Sequence, residues 1–158
     1  MARIFLGRNL QVDTVKMLRR GATALAVGRM GLGVVALTSP ALVARPWVGP
    51  SGDSQAGSVL GRALGGRDLV LGLGTMAALR RSPGAETAQA AAAWVALSGV
   101  ADGFDLLITV GSWRELPGRE RWLVASAAGG AAALSLATAA FLSPATAASA
   151  RAAAGVTS

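Results

Sequence analysis

The chain has 158 residues, enough for one domain, and is 53% hydrophobic and 15% charged, with a mean hydropathy of +0.51. A soluble domain is about 25% charged, so the shortage of charge and the long apolar runs indicate a bilayer protein. The formal net charge is +7, but the charges outside the apolar runs cluster at their ends, where positive-inside anchoring puts them; that excludes a nucleic-acid partner.

Residues 1–20 are basic and mildly amphipathic, with Ile4, Phe5, Leu10, Val12, Val15 and Leu18 set among Arg3, Arg8, Lys16, Arg19 and Arg20. This pattern suits an interfacial helix leading into a first span, or equally a frayed basic terminus. Arg19-Arg20 before an apolar run has the form of a twin-arginine signal, yet the run exceeds the 7–15 residues of a signal core and three more apolar segments follow. The terminus is therefore expected to be retained.

Four spans are expected, over residues 21–44, 57–79, 88–112 and 122–143. Each is near the roughly 20 residues that a bilayer core requires. The connections hold the turn formers Pro46, Pro50, Ser51-Gly52-Asp53, Ser82-Pro83-Gly84 and Pro117-Gly118. Trp47, Trp113 and Trp122 fall at segment ends, as in an aromatic belt, whereas Trp94 lies inside the third segment as a packing or lipid-contact residue. The predicted fold is all-α: a four-transmembrane-helix bundle over residues 21–143, with a basic amphipathic N-terminal segment and an Ala-rich flexible tail over 144–158.

Basic residues set the expected orientation. Arg3, Arg8, Lys16, Arg19, Arg20, Arg80, Arg81 and Arg151 collect on one side, and Arg45, Arg114, Arg119 and Arg121 on the other. The larger set faces the cytoplasm, which predicts a plasma (inner) membrane protein with both termini cytoplasmic.

The most informative residues are six charges inside the spans: Arg29, Arg62, Arg67, Asp68, Asp102 and Asp105. Intramembrane charges are costly, paired and by default functional. Segment two carries three of them. Each central charge costs about 2.5–3.5 kcal/mol on the insertion scale and each good apolar residue returns about 0.3–0.6, so this segment must insert with a partner that answers its charges. Depth matching across the turn near residues 83–84 predicts the pairs Arg62–Asp105 and Arg67–Asp102, and across the turn near residue 50 the pair Arg29–Asp68. Rotation opposes a single flat interface, because Arg62 and Arg67 are about 140° apart on a helix. Gly57, Gly61 and Gly65 in segment two and Gly99 and Gly103 in segment three have the spacing that lets helix backbones approach closely, with Gly61 opposite Gly103 and Gly65 opposite Gly99.

Other signals are weaker. Gly31-Leu32-Gly33 and Gly72-Leu73-Gly74 mimic part of a dinucleotide fingerprint but lack its preceding strand. Ser39, Ser98, Thr75 and Thr109 are hydroxyls of the kind that bond their own helix backbone. The chain has no Cys, His or Tyr, so acid–base chemistry must rest on carboxylates, Lys16, hydroxyls or water. No metal is expected, because the arginines compete for the aspartates, and no cofactor is expected.

The stretch Gly61-Arg62-Ala63-Leu64-Gly65-Gly66-Arg67-Asp68-Leu69-Val70-Leu71-Gly72-Leu73-Gly74, followed by Val100-Ala101-Asp102-Gly103-Phe104-Asp105, resembles the pattern of small four-helix integral membrane proteins of unknown function from GC-rich bacteria and fungi. The resemblance covers most of residues 21–143. It implies the fold and marks these charges as a signature, and it implies no activity.

Three functions remain open at the level of sequence. Asp68, Asp102 and Asp105 could serve as acid and base toward an apolar, lipid-like molecule, with Arg29, Arg62 and Arg67 binding or tuning, since burial disfavours an ionised carboxylate and a guanidinium favours it. The chain could instead be a structural or accessory subunit of a membrane complex, or a small proton-coupled transporter. Expected partners are the bilayer, an apolar ligand, and a second copy or another membrane protein.

Overall fold

The first helix ends where proline stops it. A computed structural model describes residues 2–81, 85–116, 118 and 120–143, and side chains from residue 16 onward except those of residues 85 and 87. Helix α1 runs unbroken over Ala2–Thr38 and α2 over Pro40–Val48. The residue before a proline is driven out of the helical region, and Ser39 accordingly has φ −137° and ψ 63°, with Pro40 opening α2. The expected span 21–44 is thus divided at Ser39, and no break separates it from the basic residues before it. The side chains of the basic N-terminal segment before residue 16, and the tail from residue 144, lie outside the described residues.

Gly49 then turns the chain at φ 66° and ψ −145°, a conformation open essentially to glycine alone. A 3₁₀ turn over Gly49–Asp53 follows. The Ser54 hydroxyl accepts the Gly57 backbone N–H at 3.0 Å, capping α3 over Gln55–Arg80. Helices α4 (Ala85–Gly111) and α5 (Glu120–Leu142) complete the fold. Among the described residues the chain is all helical.

The connection before α3 is tied by Arg45, whose Nε and Nη2 both donate to Asp53 at 2.6 Å. These hydrogen bonds, outweighing slight desolvation, hold the Asp53 carboxyl below its ordinary value of 3.8. A depressed folded-state value means that the pairing stabilises the fold above the unfolded value and loses that contribution as pH falls through the folded one. Arg45→Gln is expected to move the Asp53 titration, followed by carboxyl carbon NMR, back up toward 3.8; an unchanged titration would refute the pairing. The pair is exposed, so added salt weakens it.

The core is built from small side chains. Ala22, Ala26, Ala36, Ala78, Ala91 and Ala139 are among its buried residues, while Leu107, Leu123, Phe104 and Phe141 are at least 60% exposed. Burial of small residues with large apolar ones outside is the packing of helices in lipid, where close backbone approach replaces the hydrophobic drive. Three helical stretches are long and apolar enough to cross a membrane: Lys16–Thr38, Ala88–Gly111 and Glu120–Leu142. They mark the chain as a membrane protein. Helix α3 has comparable length but carries Arg62, Arg67 and Asp68.

Two close antiparallel pairs organise the helices, α1 with α3 and α4 with α5. The glycine stripe of α3 faces the first helices. A Cβ on Gly61 would lie 2.8 Å from Pro40, one on Gly65 2.7 Å from Ala36, and one on Gly72 2.7 Å from the Ala26 carbonyl. Gly99 packs instead against Leu136 and Ser135 of α5, and Gly103 faces open space. The expected meetings of Gly61 with Gly103 and of Gly65 with Gly99 do not occur. Helices α3 and α4 touch closely at Gly74, whose missing side chain makes room for the Trp94 ring.

Candidate functional site

Five of the six charges singled out in the sequence meet where α1, α3 and α4 converge. Arg29 of α1 is the hub: Nη1 donates to Asp68 Oδ1 at 3.0 Å, and Nη2 donates to Asp102 Oδ2 and to the Ser98 carbonyl at 3.2 Å. Arg67 of α3 binds Asp105 of α4 through both Nη atoms at 2.8 Å each, the bidentate geometry that a planar guanidinium favours. Arg67 also reaches Asp68, with Nη2 at 3.1 Å and Nε at 3.3 Å from Oδ1. The result is a chain of alternating sign, Asp102–Arg29–Asp68–Arg67–Asp105, in which Asp68 Oδ1 joins the two arginines.

Burial is graded along this chain. The side chains of Arg29, Asp68 and Asp102 are 8–10% exposed, that of Asp105 15% and that of Arg67 30%. The open end lies at Arg67, where a side chain at Gly66 or Gly103 would meet nothing within 4 Å. Two guanidiniums face three carboxylates, so the network carries one excess negative charge rather than the zero expected from six residues.

Arg62 accounts for that difference. It is exposed, and its Nε donates to the Leu37 carbonyl at 3.4 Å. The pairs Arg62–Asp105 and Arg67–Asp102 are therefore not formed, while Arg29–Asp68 is. The cause is rotation: with the glycine face of α3 fixed against α1, the two arginines diverge by about 140°. Asp105 falls to Arg67, Asp102 to Arg29, and Arg62 to the end of α1. There it supplies positive charge to unpaired carbonyls at a helix C-terminus. Arg19 does the same for α3, donating Nη2 to the Leu79 carbonyl at 2.7 Å.

The hydroxyls divide into two sets. Thr75 donates to the Leu71 carbonyl at 2.9 Å, Ser98 to Trp94 at 3.0 Å and Thr109 to Asp105 at 2.6 Å, each within its own helix. Ser39 sits instead at the break between α1 and α2. Thr109 additionally accepts the Trp47 indole N–H at 3.1 Å, which fastens α2 to α4 beside the charged chain. Sequence reasoning missed that bond, together with the buried Ser135 and Thr138 of α5. Their signal was present as small or polar residues at helical spacing: Ala132, Ser135, Thr138 and Ala139.

Near the end of α4 and the start of α5, Trp113 and Trp122 meet edge to face with centroids 4.6 Å apart. Arg121 lies over the Trp113 ring at 4.9 Å and donates to the Trp113 carbonyl at 2.7 Å.

Comparison of the chain with protein-family models, curated proteins and solved structures finds no match. The chemistry must be taken from the geometry itself. Each of the network's three carboxylates is bonded to a guanidinium.

Proposed function

We propose that the chain is a structural or accessory membrane protein in which the Arg/Asp network locks helix register, with α3 as a fourth span. The observation that carries this reading is the bonding of the buried Asp68 and Asp102 and the partly buried Asp105 to Arg29 and Arg67 across three helices. A segment as charged as α3 is unfavourable alone in lipid, and α1 and α4 supply the counter-charges that make its insertion favourable. The distribution of basic residues supports a plasma (inner) membrane location with both termini in the cytoplasm.

The test is a double-mutant cycle on the open pair. Arg67→Met is expected to lose about 3 kcal/mol, because it leaves Asp105 without its partner, and Asp105→Leu less, because Arg67 keeps Asp68. Together they should recover most of that loss, since apolar residues replace a buried pair at little net cost. Thermal unfolding in detergent micelles measures all four proteins. A double variant as unstable as either single one would contradict the register role.

The half-open Arg67–Asp105 end favours a second reading, in which an apolar, lipid-like molecule with a polar head binds there and Asp105, Asp68 and Asp102 act on it. Native mass spectrometry of protein released gently from its membrane distinguishes the two. An adduct retained by wild type and lost by the folded double variant supports the ligand; bare protein in both supports the lock.

A further inference from the structure

The four long helices line a small cavity of about 10 Å³, roughly the least that one water molecule occupies and too little for anything larger. Its polar wall comes from Arg29 of α1, Thr75 of α3, Ser98 of α4 and Ser135 of α5, and Ala22 and Ala26 close the apolar side. Ser135 is 1% exposed and its Oγ has no hydrogen-bond partner. Buried hydroxyls without partners are rare, and in folded proteins ordered water commonly satisfies them.

The remaining polar groups complete such a site. The Thr75 and Ser98 protons are committed to their own helices, which leaves both oxygens with lone pairs able to accept. Ser135 retains both its proton and its lone pairs. A water here finds a donor at Ser135 and acceptors at Thr75 and Ser98, within the two to four partners that buried waters make. Residues 122–143 carry no charge, so this contact joins α5 to the polar centre of the other three helices. We propose that the cavity is a binding site for one buried water molecule, anchored by the Ser135 hydroxyl and shared with Thr75 and Ser98 beside Arg29.

The sign of one substitution tests the site. If the cavity were dry, Ser135 would be a buried orphan, and Ser135→Ala would leave the unfolding temperature unchanged or raise it. With water present, Ser135→Ala removes the anchor and lowers the midpoint, by about 4 °C for a domain of this size. A second readout uses wild-type protein alone: a density map of sufficient resolution should show a peak within hydrogen-bond distance of Ser135 Oγ. A lowered midpoint or that peak supports the site. An unchanged or raised midpoint, or an empty cavity in the map should the variant fail to fold, would overturn it.

Discussion

Arg29→Gln is expected to destabilise the protein by about 3–5 kcal/mol, the cost of removing one partner from a buried ion pair. The magnitude follows from what Arg29 holds. Its side chain is 10% exposed and answers Asp68 and Asp102 at once, with a third bond to the Ser98 carbonyl. Without it, one guanidinium would face three carboxylates at the centre of the helices. Arg29→Lys should recover only part of the loss, because a compact ammonium cannot span three acceptors as a planar fork does. Arg62→Ala provides the contrast. Arg62 is exposed and contributes one long bond to a carbonyl, so its loss should fall within about 1 kcal/mol, as for a weak helix-end interaction. Thermal unfolding in detergent micelles compares the three variants. Equal midpoints for Arg29→Gln and Arg62→Ala would show that the network does not hold the helices together.

The difference between these two arginines was not legible in the sequence. Depth along the bilayer can be counted from the turns, and it placed Arg29 level with Asp68. Depth alone also placed Arg62 level with Asp105, yet Arg67 takes that partner. The missing coordinate was the rotation of α3, which is set by the helix its glycines choose to pack on. The spacing of Gly57, Gly61 and Gly65 promised a close approach without naming the partner. Some of the answer lay in α1, where Ala26, Gly33 and Ala36 place small residues on one face at helical spacing. Reading that face against α3 would have turned Arg67 and Asp68 toward α4 and α1. The ends of the last three helices were more legible, because turn formers act locally: the expected spans 57–79, 88–112 and 122–143 fall close to α3, α4 and α5. The break at Ser39-Pro40 was missed inside the expected span 21–44.

The α1–α3 contact also determines which glycine can be replaced. Gly65→Ala would place a Cβ 2.7 Å from the Ala36 side chain and 2.9 Å from the Gly33 carbonyl. The carbonyl belongs to the α1 backbone and cannot swing aside, so α1 as a whole must move. Overpacking of this kind costs about 1–3 kcal/mol. Arg29 lies one helical turn from Gly33, so a displaced α1 also draws the guanidinium away from Asp68, and the observed loss should sit at the upper end of that range. Gly66→Ala, one residue along, meets nothing within 4 Å and gains up to about 1 kcal/mol of helix propensity. The two alanines should therefore shift the unfolding midpoint in opposite directions. Combining Gly65→Ala with Asp68→Asn adds a finer check, since both act on the same Arg29 contact and their costs should be less than additive. Full additivity would mean that backbone approach and charge pairing act separately; opposite shifts with sub-additive coupling would mean that the glycine stripe positions the charges.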